Sequence, residues 1–182
     1  MRIVRLIPAI LALCLIAVVP TASSAAEPAV VTLIGKVGTT NRGPFDPFRD
    51  AFLKFRDKKF DKAFAFTHEM LAKLPQVSVT ARAEGWPAAV KATGPRLADV
   101  LKAAGVAADA KIAAGALDGY TIEFTPADRQ AHDWIVAIDA DGQPLAIGGR
   151  GPTWLIRDTA GAAVKPEVEA PWVWSLYIIE VL

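Results

Sequence analysis

The residue types best suited to chemistry in this sequence are two arginines that stand close to tryptophans near turns. Arg82 precedes Trp86 in one turn-rich stretch, and Arg150 precedes Trp154 in another. A guanidinium is permanently cationic and offers five hydrogen-bond donors in a planar fork, which suits bidentate pairing with a phosphate or a carboxylate. Tryptophans that follow turn-forming residues are candidates for the apolar wall of a cleft. The pattern therefore indicates a binding site for a small anionic ligand.

Seven residues are predicted to line this cleft. They are Arg82, Glu84, Trp86, Asp118, Tyr120, Arg150 and Trp154. The arginines would supply charge, the tryptophans an apolar wall, and Tyr120 a hydroxyl group. A competing interpretation stays open, because Asp118 with Gly119 can be a plain turn and Tyr120 can be a core residue. Trp172 and Trp174 stand at alternate positions near the C-terminus and are predicted to be core residues of a strand.

Metal chemistry has little support in the sequence. The two histidines, His68 and His132, are far apart, and neither has a second histidine or a cysteine at ligand spacing. The single cysteine, Cys14, lies in an N-terminal segment that is expected to be removed. Residues 139–142, Asp-Ala-Asp-Gly, begin like a calcium-binding loop but lack its later ligands. We therefore expect no metal site and ordinary surface or loop histidines, with a ligand-facing position as the alternative for His132.

Nucleophilic catalysis is also poorly supported. Beyond the N-terminal segment the serines are Ser78 and Ser175, and neither stands in a nucleophile-elbow sequence. Residues 148–153 form a glycine-rich turn, but no lysine follows the last glycine, so the turn does not fit a phosphate-binding loop. Its backbone amides together with Arg150 can still hold an anion, with a purely structural turn as the alternative. A hydrolase triad is not expected.

Length, charge and the N-terminal pattern limit the class of protein. The chain has 182 residues with 20 Lys+Arg against 19 Asp+Glu, so its near-neutral charge gives no basis for a nucleic-acid partner. Arg2 and Arg5 precede an apolar run at residues 6–19, which is the pattern of a signal peptide. We predict a signal peptide at 1–26, a single domain at 27–182, a periplasmic location and no stable membrane insertion after cleavage. The alternative is an uncleaved N-terminal anchor.

The elements that position these residues follow from the periodicity of the apolar side chains. The predicted helices and capped turn are at residues 46–58, 67–75, 95–105 and 125–128. The predicted strands are at residues 29–34, 77–80, 120–124, 134–138, 144–147, 153–156 and 172–182. In the first helix, Phe48, Phe52 and Phe55 fall on one apolar face. Segregated helices followed by mostly antiparallel strands predict one compact α+β domain of mixed sheet with a few short helices.

Six short motifs follow one another between Leu33 and the C-terminus. They are Glu84-Gly85-Trp86, Arg96-Leu97-Ala98-Asp99-Val100-Leu101 with Gly105, Leu117-Asp118-Gly119-Tyr120, Asp141-Gly142-Gln143-Pro144-Leu145, Arg150-Gly151-Pro152-Thr153-Trp154-Leu155-Ile156 and Trp174-x-Leu176-x-x-Ile179-Glu180-Val181. Their order resembles the oxidoreductase molybdopterin-binding domain, the cofactor domain of sulfite-oxidase-like enzymes, and most closely its small exported, stand-alone bacterial members. The resemblance implies a mixed α+β fold in which loops around the sheets bind a pyranopterin that holds molybdenum.

One position departs from what the resemblance implies. The family normally places a cysteine thiolate on molybdenum a few residues before the Glu-Gly-Trp-like motif, and here Arg82 or Ala81 stands at that point. An arginine side chain has no acceptor and cannot replace a soft thiolate ligand. The upstream histidine and arginine clusters that grip the pterin phosphate in catalytic members are also missing. We therefore expect no cysteine-ligated molybdenum.

Two functions remain after this departure. The first is an exported domain that uses the former pterin cleft to bind a small anionic ligand or a periplasmic partner protein, with no cofactor expected. The alternative is a molybdopterin-dependent periplasmic oxidoreductase or a subunit of one, which binds the cofactor through backbone contacts and Arg150. Whether the chain is an enzyme stays open at this point.

Overall fold

The structure is a computed structural model that describes residues 27–182, so the predicted signal peptide lies outside the described residues. The strands of this part of the chain, β1 to β12 in order, are Ala29–Gly35, Ala63–Thr67, Gln76–Ala83, Val90–Pro95, Ile112–Ala116, Thr121–Phe124, Trp134–Ala137, Asp139–Ala140, Gln143–Pro144, Trp154–Arg157, Ala163–Val164 and Leu176–Val181. Its helices, α1 to α5, are Ala51–Phe55, His68–Lys73, Leu97–Ala103, Pro126–Gln130 and Pro166–Glu169.

The strands form two five-stranded sheets and a two-stranded ribbon. The first sheet has the order β2-β1-β12-β5-β6, the second has the order β11-β3-β4-β8-β9, and the ribbon pairs β10 with β7. The β1–β12 and β3–β11 pairs are parallel, and the other strand pairs are antiparallel. In the first sheet, Leu33 is in register with Ile179, so the C-terminal strand lies between β1 and β5. The last strand is therefore fixed on both edges.

One large hydrophobic core joins all three sheets. Leu33 of the first sheet, Val79 of the second and Leu155 of the ribbon are buried in it together with Leu101 of α3. Burial of each such side chain contributes about 1.5–3 kcal/mol, which must offset the conformational entropy of folding without a disulfide. Residues 31–34 are all buried, which explains why this short apolar run forms a strand inside the sheet.

Local capping signals determine where the short helices begin and end. The Thr67 hydroxyl accepts a hydrogen bond from the Met70 backbone N–H at 3.2 Å and starts α2. Thr125 and Asp128 form a reciprocal capping box at the start of α4. Gly105, with φ +66°, follows α3 in a left-handed conformation that ends helices at low steric cost. The sequence-based predictions of these boundaries are confirmed.

The first predicted helix is wrong in its extent and in its apolar face. The Asp46 carboxylate caps only a turn, accepting from the Phe48 backbone N–H at 2.8 Å, and α1 itself is a single turn. Phe48 is 89% exposed and Phe55 is 76% exposed, whereas Leu53 is the residue of α1 that is buried. A five-residue helix presents only one position to the core, and Leu53 takes it beside Phe60.

The last predicted strand also begins later than expected. Residues 172–175 form a turn before β12, and Ser175 has a left-handed φ of +51° that interrupts the alternation. Trp172 is buried, but Trp174 is 45% exposed, so the prediction that both belong to the core is wrong for Trp174. The strand predicted at residues 144–147 is wrong in its extent, because β9 covers only Gln143–Pro144. Strands β2, β4 and β5 and the two-residue strands β8 and β11 were not predicted. The alanine, glycine and threonine residues of β2, β4 and β5 carry little periodic hydrophobic signal.

The described chain is a mixed α+β domain, so the predicted fold class is confirmed. Antiparallel pairs predominate and the helices are short, as the sequence indicated. Within residues 27–182 the structure contains no helix with the length and apolar character needed to span a membrane.

Candidate functional site

Three tryptophans from separate segments meet on one side of the core. The ring centroids of Trp86 and Trp154 are 5.8 Å apart, those of Trp86 and Trp172 are 5.8 Å apart, and those of Trp154 and Trp172 are 6.3 Å apart. The rings are tilted or edge-on to one another, the arrangements that aromatic pairs prefer. This cluster forms a rigid apolar support.

Arg150 lies on this support. Its guanidinium carbon is 4.4 Å from the centroid of the Trp86 ring and 4.7 Å from that of Trp154, within the range of cation–π attraction. Beside it is a cavity of about 260 Å³, here named the tryptophan pocket. The residues lining the pocket are Asp118, Tyr120, Arg150, Trp154, Pro166, Glu169, Ala170, Trp172 and Trp174.

Backbone hydrogen bonds position the arginine and the two buried indoles. Leu155 and Val173 exchange backbone hydrogen bonds of 2.8 and 2.9 Å, which sets Trp154 beside Trp172. The Ser175 N–H donates to the Arg150 carbonyl oxygen at 2.7 Å and ties the glycine-rich turn to the segment before β12. Trp86 reaches the cluster from the turn between β3 and β4. The pocket is therefore built by three loops held on strand ends.

Two of the glycine N–H groups in the glycine-rich turn are not available to a ligand. The N–H groups of Gly149 and Gly151 both donate to the Ala146 carbonyl oxygen at 3.1 Å. An anion at this turn would therefore depend on the Arg150 side chain, because these amides are already bonded within the turn. For these two N–H groups, the alternative of a purely structural turn is therefore correct. The positive charge of the turn is that of the Arg150 side chain.

The Arg150 guanidinium makes no hydrogen bond and no ion pair with any residue from 27 to 182. Desolvation by the surrounding rings lowers its pKa, and the nearby charge of Glu169 acts in the opposite direction. The carboxylate of Glu169 likewise has no hydrogen bond or ion pair within the same residues. A cation held against apolar rings with free donors is a site for an acceptor-bearing ligand.

Two indole donors of the pocket are also without partners. The Nε1 atoms of Trp154 and Trp172 are buried and make no hydrogen bond to the described protein. Trp154 is 1% exposed and Trp172 is 4% exposed. Buried donors are nearly always bonded in native proteins, and an unbonded one costs about 1–3 kcal/mol. Both residues line the pocket, but these two nitrogen atoms are themselves enclosed by the protein and are not accessible from it.

Asp118 and Tyr120 lie at the mouth of the pocket. The Asp118 carboxylate accepts from the Tyr120 backbone N–H at 2.8 Å and closes a turn at Gly119, whose φ is +100°. The Tyr120 hydroxyl donates to the Ala170 carbonyl oxygen at 2.6 Å, and burial raises the pKa of this phenol. Asp118 therefore both closes a turn and lines the pocket. Tyr120 is 41% exposed, so the interpretation of this residue as a core residue is wrong.

Arg82 and Glu84 lie outside the pocket. The Arg82 guanidinium donates to the Trp86 carbonyl oxygen at 3.2 Å, and its Nε atom is buried without a partner. The Glu84 side chain is exposed, and its backbone N–H donates to the Val164 carbonyl oxygen at 2.8 Å. Of the seven predicted residues, four line the pocket: Asp118, Tyr120, Arg150 and Trp154. Trp86 is outside the lining but packs against Arg150 and Trp154, and Arg82 and Glu84 are also outside it.

Sequence reasoning missed the part of the pocket contributed by residues 166–174. Glu169, on the short helix α5, had no motif to mark it, and Trp174, which begins one of the six motifs, was assigned to the core and not to the site. The available signal was the spacing of Trp172 and Trp174, which was assigned to a strand core. Pro166 at the start of α5 indicated a helix at this place, but a four-residue helix leaves no periodic pattern.

A larger cavity of about 500 Å³ lies beside α3 and is mostly apolar. It is lined in part by His132, which packs edge-on against Trp134 with ring centroids 6.4 Å apart. Its arginines already have protein partners, since Arg96 pairs with Asp133 and Arg129 donates to two backbone carbonyl oxygens. The tryptophan pocket is therefore the better candidate for recognition of a charged ligand.

The residues of the tryptophan pocket do not fit a cysteine-ligated molybdenum centre. Residues 27–182 contain no cysteine, and they bring together no group of three histidine, cysteine, aspartate or glutamate side chains that could hold a metal. Arg82, one of the two residues at the point where the sequence resemblance implies a thiolate, donates a hydrogen bond to a backbone carbonyl oxygen. A volume of about 260 Å³ is also below the range of about 300–1,000 Å³ usual for drug-sized ligands, and a pterin with its phosphate is a large ligand.

Comparison with known proteins supports the fold. No family model matches the chain, and no curated protein matches its sequence. Among solved structures, the chain is similar to the sulfane dehydrogenase SoxCD from Paracoccus pantotrophus, with a TM-score of 0.56 and 16% sequence identity. The match covers 84% of this chain and 38% of that chain, so this chain spans well under half of the length of its neighbour. Similarity at this identity shows the fold alone, and it agrees with the sulfite-oxidase-like α+β fold expected from the sequence.

Proposed function

We propose that this protein is an exported binding domain that holds a small anionic ligand in the tryptophan pocket. The observation that carries the proposal is the Arg150 guanidinium, which lies over two indole rings and has no partner among the described residues. A carboxylate or oxoanion placed in the pocket would accept charge-assisted hydrogen bonds from it.

The size of the pocket favours a small molecule over a protein segment. A cavity of about 260 Å³ holds the equivalent of about nine waters, taking roughly 30 Å³ for each. This suits a ligand of fewer than about ten non-hydrogen atoms and is too small for a folded partner to insert an element. A periplasmic partner protein would have to bind elsewhere on the surface.

The export part of the proposal rests on the N-terminal sequence pattern. Arg2, Arg5 and the apolar run at residues 6–19 predict cleavage after Ala26. Intact mass measurement of the protein recovered from the periplasm of a bacterial host tests this directly. A mass that still includes residues 1–26 would overturn the predicted cleavage.

The binding function is tested on the full chain produced and exported in a host that makes molybdopterin. Molybdenum is measured by elemental analysis and pterin by the fluorescence of its oxidation products. The same protein is titrated with acetate and with sulfate at constant ionic strength, followed by calorimetry and by tryptophan emission. We expect metal-free protein and saturable binding of one anion per chain.

Two other results would change the conclusion. An absence of saturable anion binding up to tens of millimolar would overturn the proposal. Stoichiometric molybdenum and pterin with turnover of an electron donor would instead establish the alternative, a molybdopterin-dependent oxidoreductase or a subunit of one.

A further inference from the structure

The tryptophan pocket carries charges of both signs. Its lining includes one cation, Arg150, and two carboxylates, Asp118 and Glu169. The formal charge of the lining is therefore negative by one unit. A simple anion would gain from Arg150 but would also meet the two carboxylates, which disfavour a second negative charge at close range.

The Glu169 carboxylate is the more important of the two acids. Asp118 is exposed and already accepts a backbone hydrogen bond, so solvent and its own turn compensate its charge. Glu169 is half-buried, lines the same cavity as Arg150, and has no hydrogen bond or ion pair within residues 27–182. It forms no ion pair with Arg150 although both line the same cavity, so both charges stay available to a ligand.

The rest of the lining is aromatic. Tyr120 and Trp174 are 41% and 45% exposed, so parts of their rings are accessible from the pocket side or from solvent. Aromatic rings combined with a carboxylate attract positively charged nitrogen, above all quaternary ammonium groups, by cation–π and Coulomb interactions. The pocket thus offers a place for a positive group as well as for a negative one.

We infer that the ligand is a small zwitterion, with a carboxylate that faces Arg150 and a positively charged nitrogen that faces Glu169 and the aromatic rings. This inference rests on the proposed function, since it names the ligand class of the same pocket. The cavity volume of about 260 Å³ agrees with an amino acid or a methylated amino acid of fewer than about ten non-hydrogen atoms.

The test compares a zwitterion with its two halves. Glycine betaine, acetate and tetramethylammonium are each titrated into the full chain by calorimetry at constant ionic strength, and glycine serves as the unmethylated zwitterion. We expect one of the two zwitterions to bind at least about tenfold more tightly than acetate or tetramethylammonium. The zwitterion that binds more tightly identifies the state of the nitrogen.

A pair of variants on α5 assigns the charge. Glu169→Gln should weaken binding of the preferred zwitterion about five- to tenfold and should leave acetate binding unchanged or stronger, because an opposing charge is removed. Glu167→Gln is the matched control, since Glu167 is exposed on the same helix and does not line the pocket. It should alter neither affinity.

The outcomes separate this inference from the proposed function. Acetate binding as tight as that of both zwitterions, with no effect of Glu169→Gln on them, would overturn the zwitterion and leave the anion site standing. Tetramethylammonium binding as tight as that of the zwitterions would overturn both, because the site would then recognise a cation. Binding of none of the four probes would also overturn both.

Discussion

The replacement of Arg150 by glutamine is the most informative single perturbation of this protein. Glutamine keeps a polar but shorter side chain and removes the charge. A hydrogen bond to a charged group contributes about 1.5–3 kcal/mol, and screening at a half-exposed site places the expected loss near the lower end, at about 1.5–2 kcal/mol. We therefore expect the Kd for acetate to rise about 10- to 30-fold. The loss of attraction to Trp86 and Trp154 should also lower the free energy of unfolding by about 1–2 kcal/mol.

Arg157→Gln is the matched control for this change. Arg157 also lies over an indole, 6.0 Å from the centroid of Trp134, and its pKa is lowered by burial, but it does not line the tryptophan pocket. Calorimetric titration with acetate and urea unfolding are measured on both variants. The reasoning would be refuted by an unchanged Kd in Arg150→Gln, or by an equal loss of affinity in Arg157→Gln.

Three further changes test the fold. Gly94→Ala should lower the free energy of unfolding in urea by more than about 2 kcal/mol, because the added Cβ would overlap backbone atoms of β7. Gly43→Ala is the control: a Cβ there has open space, and the free energy of unfolding should change by less than about 0.5 kcal/mol. The Thr125 hydroxyl and backbone N–H lower the pKa of Asp128. The contribution of this carboxylate to stability is therefore present above its unfolded-state pKa and is lost as the pH falls. The difference in urea midpoint between wild type and Asp128→Ala should thus be larger at pH 6 than at pH 2.5. Phe55→Ser should raise the solubility limit in ammonium sulfate without lowering the urea midpoint, because this ring is 76% exposed, and a lower midpoint would contradict its exposure.

The parts of the fold that could be predicted from the sequence are those determined by nearby residues. Thr67 and Thr125 begin helices because their hydroxyls accept hydrogen bonds from amides three residues away. The Asp141-Gly142 turn follows from two residues that tolerate left-handed φ values, here +53° and +77°. Such signals need no knowledge of the rest of the chain, which explains why they predicted element boundaries correctly.

The parts that could not be predicted depend on contacts between distant segments. β5 is Ile112 followed by four small residues, and they form a buried strand because β12 and β6 pair with its two edges. The phenylalanines of residues 48–55 have helical spacing, but the core position beside Phe60 is taken by Leu53. Glu169 lines the pocket because α5 packs near segments that are distant in the sequence, and no local pattern indicates this contact. Periodicity reports the amphipathic character of a segment and does not report which other segment covers it.

The two arginines singled out in the sequence have different roles, and the geometry explains the difference. Arg82 was predicted to line the cleft, yet its guanidinium donates a hydrogen bond to the carbonyl oxygen of Trp86 within its own turn. That contact holds the turn that places the Trp86 ring 4.4 Å from the Arg150 guanidinium carbon. Arg82 thus holds the turn that carries an aromatic ring, and the free positive charge of the pocket is carried by Arg150.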